Sequence, residues 1–188
     1  MKEKLSSLVV FVWLLAFVVE ATADFPEEIP FVPTPIEVVD KMLEMAQVQK
    51  NDVVYDLGSG DGRVVIRAAK KYGARGVGIE MDQTLLDKAR KSAEVEGVSH
   101  LVEFRAEDAL KTDLSPATVV TLYMLPWFNE AMKPNFRNYL KPGSRIVAHD
   151  FGIEGWTPDE TEKLPEPEEK AGGYVHYHTI FLWDVREN

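Results

Sequence analysis

Asp56-Leu57-Gly58-Ser59-Gly60-Asp61-Gly62 places three glycines among acids, between a β-branched run and a helical one. Glycines let the backbone turn with positive φ and let a ligand approach the main chain, and the helix start behind them offers unpaired N–H groups. Glu80, at the end of the next strand, stands where a carboxylate accepts hydrogen bonds from ribose hydroxyls. Together these residues describe a nucleoside site. A dinucleotide fingerprint, G-x-G-x-x-G, would need glycine where Arg63 stands. Asp56 would repel a pyrophosphate and suits a ligand with an amino group and a cationic sulfonium.

That charge pattern points to S-adenosylmethionine as cofactor. A second set of reactive residues falls at strand ends: Tyr123 after a fourth strand, and His149 and Asp150 after a fifth. Ligands of open α/β sheets bind on that side. A histidine hydrogen-bonded to its own loop explains His149 equally well. His176 and His178 alternate on a strand and could form a metal pair, though a polar outer face of the hairpin accounts for them more simply. No second His/Asp cluster accompanies His149, so no metal is expected. The absence of cysteine excludes thiolate zinc sites, disulfide frameworks and cysteine nucleophiles.

The elements that must position these residues are legible from periodicity and punctuation. A strand is expected over 53–57, a helix over 63–72 stopped by Gly73, and a strand over 76–80. Asp82 should cap a helix burying Leu85, Leu86, Ala89 and Ala93, with Gly97 as its stop. Strands over 102–106, 117–123 and 145–149 follow, with a helix over 128–140 broken or bent at Pro134. Upstream, Thr34-Pro35-Ile36-Glu37 has the spacing of a capping box with proline at the first helical position, and that helix should end near Asn51. The stretches 156–164 and 174–185, separated by an acidic turn, read as a terminal antiparallel hairpin. Alternating strands and helices imply an α/β fold, a Rossmann-like, seven-stranded, mostly parallel sheet closed by that hairpin.

The chain has 188 residues and a formal charge of −10, with 45% hydrophobic and 28% charged residues, as in ordinary globular domains. Residues 1–23 carry Lys2 and Lys4, an apolar run from Leu8 to Val19 and the triplet Ala21-Thr22-Ala23, the pattern of a secretory signal. The expected organisation is this leader, exported or retained as a membrane anchor with the remainder facing the cytosol, followed by one domain over 24–188. The leader holds two acids and two bases, so the acidic excess belongs to the domain. With no basic stripe to neutralise phosphates, nucleic acid is disfavoured as a partner, and a lysine-bearing protein is easier to attract.

The chain resembles class I S-adenosylmethionine-dependent methyltransferases, and more narrowly the small protein-lysine methyltransferase family that includes the mitochondrial ATP synthase c-subunit lysine methyltransferase. The resemblance rests on Phe31-Val32-Pro33-Thr34-Pro35, the glycine motif from Tyr55 to Arg63, Val77-Gly78-Ile79-Glu80, Leu122-Tyr123-Met124-Leu125-Pro126, and Leu140-Lys141-Pro142-Gly143 leading to His149-Asp150-Phe151. It implies that Asp56, Gly58 and Gly60 line the methionine part of the cofactor, Glu80 holds the ribose, Asp108 faces the adenine amine, Thr34 bonds the cofactor carboxylate, and Ser59 is a further cofactor-binding residue. The Asn/Asp-Pro-Pro-aromatic motif of many amino-group methyltransferases is missing after the fourth strand, which fits a lysine acceptor better than a base or glutamine amide. Tyr123, Trp127 and Asn129 become candidates for the acceptor channel, with Tyr123, His149 and Asp150 as catalytic candidates. The rivals are a small-molecule methyltransferase and a non-catalytic exported binding protein on the same fold.

Overall fold

The computed structural model describes residues 30–166 and 177–187. The chain divides into two units, residues 1–30 and residues 31–188, and every element below belongs to the second. The leader expected over residues 1–23, His176 and most of the acidic turn lie outside the described residues.

The elements run α1 (Ile36–Met45), β1 (Val53–Leu57), α2 (Arg63–Tyr72), β2 (Arg75–Glu80), α3 (Gln83–Val95), β3 (Val102–Ala106), a 3₁₀ turn (Ala109–Lys111), β4 (Val119–Leu122), α4 (Pro126–Ala131), α5 (Lys133–Tyr139), β5 (Arg145–His149), β6 (Glu160–Pro165) and β7 (Tyr177–Asp184). They build one seven-stranded sheet in the order β3-β2-β1-β4-β5-β7-β6. The first five strands are parallel, and β7 runs antiparallel between β5 and β6. This is the expected architecture.

β1 is buried at all five positions because helices cover both faces of the sheet. Val54, Val119 and Val147 meet the inward faces of α1, α2 and α3 through residues such as Val39, Leu43, Val65, Leu86 and Ala89. Tyr55, Leu57, Val120, Leu122 and Ile146 point the other way, against Phe128, Met132 and Phe136. The strand order reverses between β1 and β4, opening a crevice at their carboxyl ends, where an open α/β sheet binds its ligand.

Asp82 caps α3 by accepting from the Thr84 and Leu85 N–H groups, and Gly97 takes a left-handed φ of 71° just beyond it, as expected. The helix expected over 128–140 is interrupted at Met132, with Pro134 in the first turn of α5. Two expectations at the first helix differ. The helix α1 ends at Met45 rather than near Asn51: Gln47 adopts a left-handed φ of 48°, and the Gln47 and Val48 N–H groups fold back onto Glu44 and Leu43 carbonyls. That is a Schellman stop made without glycine. The capping box is also absent. Pro35 is the N-cap with no side-chain bond, and Thr34 lies one residue outside the helix, where its hydroxyl faces His149 instead.

Candidate active site

The cofactor half of the crevice is built at the ends of β1 and β2. The Gly58 and Ser59 N–H groups both donate to the Ile79 carbonyl at 2.9 Å, which pulls the loop over β2. The Gly60 N–H donates to Glu80 Oε2 at 2.9 Å, while Glu80 Oε1 accepts from the Met81 and Asp82 N–H groups at 2.8 and 3.0 Å. Three backbone donors therefore orient the Glu80 carboxylate, whose remaining lone pairs are open to hydroxyls. Gly62 has φ 77°, and a Cβ there would fall 2.5 Å from the Phe104 ring and 2.9 Å from the Ala89 Cβ, so this turn accepts no side chain.

Asp56 is buried, and its Oδ1 accepts from the Thr121 hydroxyl at 2.6 Å. Burial pushes its carboxyl up to about 7; the Thr121 bond opposes this, and Glu80 and Asp61 add to it. A cation beside Asp56 would reverse that shift, so an amino group or sulfonium fits this pocket chemically. Burial also pushes Asp61 upward, but the Arg63 fork at 2.9 and 2.7 Å and Lys88 at 3.3 Å outweigh it and hold the carboxyl below its ordinary value. The Ser59 hydroxyl is buried without a hydrogen-bond partner among the described residues and lies against Gly78. Asp108 follows β3, accepts from the Leu110 N–H at 3.0 Å and pairs with Lys111 at 3.0 Å, so it organises the 3₁₀ turn.

The second half lies after β4 and β5. Tyr123 is half-buried, its ring 4.0 Å from that of His149 and stacked on Phe151 at 6.2 Å. His149 is fully buried; its Nδ1 lies 3.2 Å from the Thr34 hydroxyl and its Nε2 lies 3.2 Å from Asp150 Oδ2. Burial lowers the His149 ring to about 4, Asp150 opposing and His178 adding, which keeps it neutral near pH 7. Burial and then Asp150 raise the Tyr123 hydroxyl. Asp150 sits at a left-handed φ of 58° with its Oδ1 accepting from the Thr179 N–H at 2.8 Å.

Two expectations are corrected here. Asn129 is fully buried and its amide donates to the Phe151 and Gly152 carbonyls at 2.9 and 3.2 Å, so it braces the loop after β5 rather than lining a channel. His178 does not belong to an outer polar face: its Nδ1 is 2.9 Å from His149 Nε2 and 3.3 Å from Asp150 Oδ2. A second histidine thus does accompany His149, brought there by the pairing of His149 with Ile180 in the antiparallel ladder. Trp127 packs edge-on against Phe128 at 5.8 Å. Arg63 is a further residue of the site, beyond those expected; its Nη1 donates to the Thr34 carbonyl at 2.8 Å. Its position, where a dinucleotide loop would carry glycine, was the available signal.

The strand order, the glycine loop after β1 and the acid ending β2 define a Rossmann-like S-adenosylmethionine-dependent methyltransferase. Residues 56–160 match the ANTKMT methyltransferase domain, and the chain belongs to that family. It is 40% identical to a protein-lysine N-methyltransferase of Saccharolobus islandicus, across 85% of this chain and 96% of the relative. It is 34% identical to the ATP synthase c-subunit lysine N-methyltransferase of Rattus norvegicus over 71% of this chain, and spans 61% of that protein's length. Among solved structures, an RNA methyltransferase from Salinibacter ruber in complex with S-adenosyl-L-homocysteine is 50% identical, with a TM-score of 0.74 across 84% of this chain and 95% of the other.

Proposed function

We propose that this enzyme methylates a lysine side chain of a protein. The observation that carries the reading is the near full-length match, 96% of the relative, to a protein-lysine N-methyltransferase. When bound, S-adenosylmethionine supplies a methyl group on a sulfonium; the amine nitrogen forms the new N–C bond as the S–C bond breaks, and the amine loses a proton. On this reading Asp56, Gly58, Ser59 and Gly60 hold the methionine part, Glu80 the ribose hydroxyls, Asp108 the adenine amine and Thr34 the carboxylate. Presenting a neutral lysine amine at pH 7 costs about 4 to 5 kcal/mol from its ordinary pKa. Removing the amine from water in the crevice disfavours its ammonium form. Tyr123, His149 and Asp150, clustered after β4 and β5, orient the amine, whose proton leaves to solvent water. The acidic domain, within a chain of net charge −10, attracts a lysine-bearing partner.

The name of the Salinibacter relative supports a second reading, an RNA acceptor, against which the acidic balance argues. Incubating the purified chain with methyl-labelled cofactor and source-cell proteins, RNA and small metabolites separates these. Label on protein that survives nuclease and appears as methyl-lysine after hydrolysis is the expected result; label confined to RNA or metabolites would overturn the lysine acceptor. The leader-like residues 1–23 support a membrane-anchored or exported protein, with the enzyme domain facing the cytosol if anchored. Fractionation with protease protection tests this, and an intact, wholly soluble product would refute it.

A further inference from the structure

We infer that His149, Asp150 and His178 form a binding site for a divalent transition cation of the zinc class, at the junction of β5 and β7. The three converging atoms are His149 Nε2, His178 Nδ1 and Asp150 Oδ2, separated by 2.9, 3.2 and 3.3 Å. With the carboxylate ionised, hydrogen bonds leave one edge of this triangle unsatisfied. A ring nitrogen either donates or accepts, and an ionised carboxylate only accepts. If both nitrogens carry hydrogen, the edge between them sets two donors face to face. If only one does, the other nitrogen turns a lone pair toward the carboxylate. One cation above the triangle accepts a lone pair from all three atoms at once.

The dimensions agree with that occupant. Zinc bound at about 2.0 to 2.1 Å in tetrahedral geometry spaces its ligand atoms by about 3.3 Å, so the three atoms form one face of such a site. Two imidazoles and a carboxylate suit zinc or cobalt rather than magnesium or calcium, which take oxygen ligands. Two of the three ligands, His149 and Asp150, are held by second contacts. His149 Nδ1 faces the Thr34 hydroxyl at 3.2 Å, which fixes the ring with Nε2 directed at the triangle. The free oxygen of Asp150 is held by the Thr179 N–H at 2.8 Å, and Asp150 adopts the left-handed backbone, φ 58°, that aims its carboxylate back at the rings. In His178, Nε2 then carries the ring proton. Three protein ligands leave a fourth position for water or another small ligand.

The test reads binding, so its outcome is independent of which acceptor the enzyme methylates. The full chain, stripped with EDTA, is titrated with Zn²⁺ by calorimetry and with Co²⁺ by visible absorption. Expected are one tight site per chain, intense tetrahedral Co²⁺ bands and a raised melting temperature with Zn²⁺. His178→Gln and Asp150→Asn should each weaken zinc at least tenfold, while His100→Gln on the exposed loop should not change it. His149 is fully buried, so the two more exposed ligands carry the test, and S-adenosylmethionine binding by calorimetry establishes that each variant is folded. Zinc affinity weaker than millimolar, or unchanged in both ligand variants, would overturn the site.

Discussion

Replacing Asp56 with asparagine should strengthen the free protein while weakening its hold on the cofactor. The substitution preserves shape and still offers an oxygen to the Thr121 hydroxyl, 2.6 Å away. What it removes is a carboxyl that burial has pushed from 3.8 up to about 7. Between those values the folded chain keeps a proton that the unfolded chain has released, so stability falls as pH rises through the window and levels off above about 7. At 1.36 kcal/mol per pKa unit, the full loss is about 4 kcal/mol, of which about 3 kcal/mol falls between pH 5 and pH 8. The asparagine variant has no such dependence. Its advantage in cofactor-free unfolding should therefore grow by about 3 kcal/mol over that range, or roughly 6 to 12 °C in melting temperature for a domain of this size.

Cofactor affinity should move oppositely. Loss of a buried charged partner for the ammonium weakens binding by about 1.5 to 3 kcal/mol, roughly tenfold to 150-fold. In the wild type, a bound cation favours ionised Asp56, so binding below pH 7 should release a proton, visible as a heat that depends on buffer ionisation enthalpy. Unfolding curves at pH 5 and pH 8 that shift in parallel for wild type and variant would refute the burial argument. Equal cofactor affinity in the two proteins would remove Asp56 from the site.

Glu80→Ala removes the acceptor held by three backbone N–H groups and should weaken cofactor binding by about 1 to 3 kcal/mol in calorimetry. Gly62→Ala forces a Cβ at φ 77° to within 2.5 Å of Phe104 and should destabilise the fold by about 1 to 3 kcal/mol in chemical unfolding. Tyr123→Phe and Asp150→Asn should each lower turnover at least tenfold in the labelled-methyl assay, with cofactor affinity within about twofold of wild type.

The order of elements and the cofactor loop were readable because they rest on local signals. Glycines at 58, 60 and 62 and an acid ending the next strand announce the cradle, and all three glycines take positive φ. Boundaries were missed where the stop lacks its usual residue, as at Gln47, and where a side chain found a distant partner better than a local one, as with Thr34, whose hydroxyl pairs with a residue 115 positions away. The acceptor side was hardest to read. Asn129 follows the strand-end tyrosine within two helical turns in sequence, yet the helix turns it inward to the Phe151 and Gly152 carbonyls. His178 is far from His149 in sequence and reaches it only because the hairpin pairs in one particular register, which alternation along a strand does not specify.

Arg63 and Thr34 explain how the two halves of the site are held at a fixed separation. The cradle belongs to β1 and β2, the Tyr123–His149 cluster to β4 and β5, and the segment before α1 crosses between them. Asp61 holds the Arg63 fork, Arg63 donates to the Thr34 carbonyl at 2.8 Å, and the Thr34 hydroxyl meets His149 at 3.2 Å. The same segment brings the Phe31 ring over Gly60, where a Cβ would lie 2.3 Å from it. A glycine at position 63, as a dinucleotide loop requires, would delete the guanidinium from this chain of contacts. The departure from that fingerprint thus gives this site a contact it uses: Arg63 ties the glycine loop to Thr34, Thr34 reaches His149, and the relative placement of two strand ends on which transfer depends is braced through both residues.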